Sequence, residues 1–347
     1  MKIKITACFA LSACLLLTLA TAHAARRAMI DTKVAEPYLG AIVTDADSGQ
    51  ILFEDHSDVA GYPASVLKLM DLLIFLEKID AGSLRLEDRI TISAEVSKIG
   101  GSQVWLKENE SFTVDELLYA FMVQSANDAA AALAIHTAGS REAFVALMNK
   151  RAAELGMKAT EFHSIHGLPP EEGQKPDVTT ARDISRLARE LLQKHPGCLR
   201  YTSCKERPFR GGNPIMRNHN GLLWTYPGCD GLKTGYYKKA GYAIAATAAR
   251  DNNRLIAVIL GSASKQSRDK KAAELLSVCF AKMPPKPAPQ PAVTNAVEEP
   301  PPEAEPAPRA GRAAWLAVSI TLLVLLAGAV YWVFFFRPDK SDLVQKH

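Results

Sequence analysis

Three short motifs hold residue types that could do covalent chemistry on an amide. Ser65-Val66-Leu67-Lys68 pairs a hydroxyl with an amine three residues on. On a helix that spacing sets both side chains on one face, within mutual reach, as nucleophile and base. A lysine serves as a base only when its pKa falls, through burial or through another cation nearby. Leu67, Leu69 and Met70 supply apolar surroundings, and a second lysine would supply the cation. Ser-x-x-Lys alone says little, because it recurs at Ser262 to Lys265 and at Ser267 to Lys270. Those copies lie in a polar stretch that reads as solvated surface, whereas Pro63-Ala64 precedes Ser65 and an apolar run follows it. Ser125-Ala126-Asn127 adds a hydroxyl able to pass a proton between Ser65 and a leaving amine, and an amide able to hold a substrate carbonyl. Lys233-Thr234-Gly235 adds a cation for a carboxylate, a hydroxyl, and a glycine that lets a substrate approach the backbone. His163 and His166 form an H-x-x-H without an H-E-x-x-H, so they read as loop packing; no metal and no cofactor is expected.

The body that must position these groups runs over about residues 26–282. Residues 40–53 read as two short strands about a turn, and 67–76 as an apolar helix entered at Pro63-Ala64-Ser65. Helices are predicted over 114–122, 128–138, 141–155 and 180–194, which sets Ser125-Ala126-Asn127 at a helix–helix boundary. Lys233-Thr234-Gly235 is placed just before a strand. Residues 242–248 and 255–261 form a hairpin about Asp251-Asn252-Asn253, and 271–280 closes the domain as a helix. Strands at both ends around a helical block predict an α/β body on a mainly antiparallel sheet.

The ends of the chain set the compartment. Lys2 and Lys4, an apolar run and Ala22-His23-Ala24 describe a secretory signal over residues 1–24. Leu11-Ser12-Ala13-Cys14 is a rival lipoprotein-type box. Ten of the 20 prolines fall in residues 283–312, which read as a semi-rigid extended stalk. Residues 313–336 carry no charge and would span roughly 36 Å as a helix, enough to cross a bilayer. Residues 337–347 then form a short cytoplasmic tail, and the catalytic body at 25–282 is exported and tethered to the lipid bilayer. Cys198, Cys204, Cys229 and Cys279 remain after the leader, and sequence alone cannot choose among their three pairings, so free or structural thiols are the default. With 41 basic and 37 acidic residues in 347, the net charge of +4 leaves no electrostatic footprint for nucleic acid.

Taken in order, the three motifs resemble those of the low-molecular-weight penicillin-binding proteins, the serine-type D-alanyl-D-alanine carboxypeptidases of peptidase family S11. Pro63 to Met70, Gly101-Ser102, Gln124 to Asp128, His166-Gly167-Leu168, Asn220 to Trp224 and Asp230 to Gly235 carry the likeness over roughly residues 35–282. It implies a penicillin-binding-protein/β-lactamase-like fold with a helical lobe. It also implies removal of the terminal D-Ala from peptidoglycan stem peptides, with β-lactams as covalent inhibitors. By resemblance Ser65 forms the acyl-enzyme, Lys68 takes its proton, and Ser125 and Asn127 relay protons and position the substrate. Lys233 lowers the pKa of Lys68 and grips the terminal carboxylate with Thr234, and the N–H groups of Ser65 and Tyr236 form the oxyanion hole. Tyr236-Tyr237 stands where the best-known members carry His-Thr, and Ala126 where Gly is commoner. A D,D-endopeptidase uses the same residues and stays as an alternative. A class A β-lactamase needs a deacylating Glu in an E-x-x-L-N segment, and Glu161 is followed by Phe-His-Ser-Ile. A non-enzymatic acyl-accepting sensor needs a larger output domain than residues 337–347.

Overall fold

Alternation along two strands explains the architecture. Ala243, Ala245, Ile256, Val258 and Leu260 join one apolar core, while Ile244, Ala246, Leu255, Ala257 and Ile259 join another. Side chains on a strand alternate between faces, so a sheet with both faces apolar must be covered on both. The computed structural model of the protein describes residues 38–286, 325–328 and 330–331. The chain divides into two units, Met1–Ala288 and Pro289–His347. The expected leader, most of the stalk and of the apolar run 313–336, and the tail lie outside the described residues, among which no helix is long and apolar enough to cross a membrane.

The elements follow in chain order. Strands β1 (Gly40–Asp45) and β2 (Ile51–Asp55) lead to a 3-10 turn at Ala64–Leu67 and helix α1 (Lys68–Asp80). A small ribbon of β3 (Arg89–Thr91) and β4 (Ser111–Thr113) precedes α2 (Val114–Val123), α3 (Asn127–Ala138), α4 (Arg141–Glu154) and α5 (Ala181–Lys194). Then come α6 (Leu199–Thr202), β5 (Glu206–Pro208), β6 (Ile215–Arg217), α7 (Leu222–Thr225), β7 (Cys229–Tyr237), β8 (Gly241–Arg250), β9 (Asn253–Ser262) and α8 (Lys265–Phe280). The main sheet is antiparallel in the order β2-β1-β9-β8-β7. Helix α8 packs on one face, and α1 to α5 supply the core of the other.

Helix α1 is buried throughout Lys68 to Phe75, as a helix at the centre of a lobe must be. Phe75 sits between Phe121 of α2 and Phe144 of α4, at ring separations of 5.7 and 5.0 Å. Helix α2 starts where a capping box forms: Thr113 Oγ1 accepts from Glu116 N, and the Glu116 carboxylate accepts from Thr113 N. The β8–β9 turn is two residues long, with Asp251 and Asn252 both at positive φ (50° and 60°), the conformation a tight hairpin demands.

Several expectations shift. The helix predicted from residue 271 begins at Lys265, because Ser264 caps it through Ser267 N. That start places Ser267 and Lys270 within α8. Lys233-Thr234-Gly235 lies inside β7 rather than before it, paired with β8 from Lys233↔Ala245 to Gly235↔Ala243. The four cysteines are free thiols, with Cys198 and Cys279 buried.

Candidate active site

Ser65 lies in the 3-10 turn and Lys68 opens α1. The helix read over 67–76 with its entry at Pro63-Ala64-Ser65 begins at Lys68, and the entry is a 3-10 turn in which Ala64 holds a φ of +44°. In a 3-10 turn residues i and i+3 eclipse, so Lys68 Nζ comes to 3.2 Å from Ser65 Oγ. Two glycines press on this turn. A Cβ on Gly167 would stand 2.2 Å from Ala64 O, and one on Gly235 would stand 2.7 Å from Pro63 O and 2.9 Å from Ser65 N. Only bare Cα atoms fit there, so β7 and the 163–168 loop set the position of the nucleophile's backbone.

Lys68 is fully buried. Its Nζ reaches Asn127 Oδ1 at 2.6 Å and His166 O at 3.0 Å, besides Ser65 Oγ. All three oxygens accept from the amine, while the Ser65 hydroxyl itself donates to His166 O at 3.3 Å. Burial pulls its pKa down to about 7, against the opposing pull of Asp71, Asp128 and Asp177. Loss of water is thus the first cause of the low value. Lys233 is held well below its ordinary value first by burial, then by the charges of Lys68 and Arg268; the repulsion between the two lysines is mutual. Lys233 Nζ donates to Thr234 O at 3.0 Å, and both side chains are nearly covered. Tyr236 is 54% exposed and stacks on Tyr242 at 4.1 Å.

Ser125 joins α2 to α3 with a φ of +59° and is buried. Among the described residues its hydroxyl makes no direct hydrogen bond to Ser65 or Lys68; Asn127 makes the contact instead. Asn127 Nδ2 donates to Gly100 O at 2.8 Å, and Asn127 N to Ser102 O at 2.7 Å. The neighbouring Asp128 carboxylate accepts from Val104 N and Leu106 N, so the 100–106 segment is fastened to the start of α3.

Three contributors escape a side-chain reading of the sequence. His166 acts through its carbonyl, which accepts from both Lys68 and Ser65, and a carbonyl has no sequence signature. Asp177 shapes that loop by accepting from His163 N, Ser164 N and Ser164 Oγ, while Ser164 Oγ accepts from Gly167 N. Asp71, an acid inside the apolar run 67–76, drew no reading, because its burial beside Lys68 is a matter of packing. The His166 imidazole is held neutral, its pKa lowered to about 3 by burial and then by Lys68 and Arg141. His163 pairs with Glu161 at 3.2 Å; among the described residues no group of three or more His, Cys, Asp or Glu could hold a metal. A cavity of about 420 Å³ borders Gly100, His166 and Leu168, but its lining excludes Ser65, Lys68 and Lys233.

The sequence profile of the D-alanyl-D-alanine carboxypeptidase family, Peptidase_S11, matches residues 31–264. The chain is 35% identical over 252 residues to D-alanyl-D-alanine carboxypeptidase DacF of Bacillus subtilis (strain 168), covering 72% of this chain and 64% of that relative. It is 34% identical over 253 residues to D-alanyl-D-alanine carboxypeptidase DacA of Escherichia coli (strain K12), covering 71% and 60%. The chain therefore spans somewhat less than two thirds of those relatives' lengths. Among solved structures it is similar to penicillin-binding protein D2 of Listeria monocytogenes in its ampicillin-bound form, with a TM-score of 0.64, 30% identity, and 72% and 100% of the two chains covered.

Proposed function

The chain belongs to the D-alanyl-D-alanine carboxypeptidase family, and on that premise we propose that it removes the terminal D-Ala from peptidoglycan stem peptides through an acyl-enzyme on Ser65. One observation carries the reading: a buried Lys68 that touches Ser65 Oγ, with a pKa brought to about 7. A general base works best when its pKa lies near the operating pH. Ser65 Oγ attacks the carbonyl of the penultimate D-Ala as its proton passes to Lys68 Nζ. The carbonyl oxygen gathers negative charge toward the N–H groups of Ser65 and Tyr236, a reading supported by the tight packing of Gly235, next to Tyr236, against Ser65 N. The proton then goes to the leaving amine through Ser125, D-Ala departs, and water hydrolyses the ester with Lys68 again as base. Asn127 holds Lys68 in line. Lys233 and Thr234 are the groups for the terminal carboxylate, whose charge would offset the cost of a buried ammonium.

β-Lactams fit the same site as covalent inhibitors, acylating Ser65. The basic leader, the proline-rich 283–312 and the uncharged 313–336 support an exported body, residues 25–282, tethered to the cytoplasmic membrane with the last residues inside. The test uses the full chain in mild detergent with diacetyl-L-Lys-D-Ala-D-Ala and a fluorescent penicillin. Free D-Ala and labelling at Ser65, both absent from Ser65→Ala, are expected. Labelling without D-Ala release would point instead to an endopeptidase acting on cross-links. Neither labelling nor release would refute the proposal.

A further inference from the structure

Three buried carboxyls surround Lys68, and only one of them lacks a structural task. Asp128 accepts from the N–H groups of Val104, Leu106 and Ala129. Asp177 accepts from His163 N, Ser164 N and Ser164 Oγ. Asp71 lies one turn along α1 from Lys68, is 1% exposed, and neither of its oxygens has a hydrogen-bond partner among the described residues. Residues three apart on a helix share a face, so this carboxyl neighbours the amine. Burying an acid without partners costs on the order of several kcal/mol, which packing alone does not offset. An apolar side chain would serve a purely structural site better.

We propose that Asp71 is a positioning residue for Lys68, the buried counter-group that steadies the ammonium formed when Ser65 gives up its proton. The inference rests on the acyl-enzyme reading above. As the bond from Ser65 Oγ to the substrate carbon forms, the proton leaves Oγ for Lys68 Nζ, and for that interval a cation stands in a site closed to water. Its hydrogen bonds go to Asn127 and His166, both uncharged acceptors. Asp71 supplies opposite charge without competing for those bonds. The remaining charges facing the pair are Asp128 on α3, Asp177 in the segment before α5, and Lys233 on β7. From α4 and α5, Arg151 and Glu190 meet α1 only farther along, where Arg151 pairs with Glu77 at 2.7 Å. Burial pushes the Asp71 carboxyl well above its ordinary pKa and Lys68 pulls it back, so the two titrate as a coupled pair.

The experiment measures the rate of Ser65 acylation by a fluorescent penicillin from pH 5.5 to 9, with melting temperatures, for the full-length wild type, Asp71→Asn and Asp71→Thr. Asn keeps the shape and removes the charge. The acid limb of the Asp71→Asn profile is expected to move down by about half a pH unit, and its plateau to fall by up to about threefold, because the lysine becomes a weaker base. The melting temperature should hold or rise, which a merely structural role would not give. An unmoved limb with an unchanged plateau overturns the proposal. So does a failure of both variants to fold, which would make Asp71 a structural residue. Absence of acylation in the wild type removes the acyl-enzyme reading and this inference with it, whereas a normal wild type beside an unmoved Asp71→Asn removes this inference alone.

Discussion

Gly167→Ala tests whether the nucleophile's position is imposed from the 163–168 loop. The new Cβ would lie 2.2 Å from Ala64 O, 2.4 Å from Ala64 C and 3.0 Å from Ser65 N. Non-bonded atoms settle at about 3.5 Å, so loop and turn must part by roughly 1 Å. The φ of +73° adds about 1–2 kcal/mol of strain for a residue with a Cβ. The same parting carries His166 O away from Lys68 and Ser65, which it now meets at 3.0 and 3.3 Å. A 1 Å misplacement of reacting groups costs about 10²-fold, and that is the expected loss in acylation by fluorescent penicillin. Gly173→Ala is the control: it has a similar φ of +80° in the same connection, yet nothing lies within 4 Å of its added Cβ. It should lose about 1 kcal/mol of stability and keep its acylation rate. Equal rates for Gly167→Ala and the wild type would refute the idea that this contact places Ser65. Equal losses in both variants would show that backbone strain, and not contact with the turn, decides the rate.

Three further outcomes follow from the environment of Lys68. Because its pKa is brought to about 7, wild-type acylation should fall about tenfold per pH unit below that value as the amine protonates; a rate flat down to pH 5 would exclude Lys68 as the base. A folded pKa below the ordinary 10.5 means the unfolded chain binds more protons between about pH 7 and 10.5. Over that window the unfolding free energy of the wild type, relative to Lys68→Met, should rise with pH by up to about 1.4 kcal/mol per unit, and parallel urea-denaturation curves would contradict it. Asn127→Leu strands Lys68 Nζ and Gly100 O, so acylation should drop by about 10² or more and stability by about 1–3 kcal/mol, read by penicillin labelling and thermal melting.

Patterns that depend on local spacing were legible in the chain, and those that depend on close approach were not. Two apolar runs about Asp251-Asn252-Asn253 announced the β8–β9 hairpin, and the helix read over 114–122 is α2. Ser65, Lys68 and Asn127 could be named because their types are rare in that order, and the fold brings all three to one nitrogen. What spacing could not express is why that nitrogen is basic enough. A second lysine looked like the natural cause, since Lys233 is present and like charges repel. The first cause is enclosure: α1 is buried from Lys68 to Phe75, and the amine, closed off from solvent, meets a hydroxyl and two carbonyl oxygens. Enclosure is the sum of packing from α3, β7 and the 163–168 loop, none of which is near residue 68 in sequence. The same logic explains the glycines at 167 and 235: the second was read as an opening for substrate, yet the bare Cα atoms of both meet the turn around Ala64. A substitution that leaves every named side chain in place but opens this enclosure should therefore raise the Lys68 pKa toward 10.5 and silence the site at neutral pH.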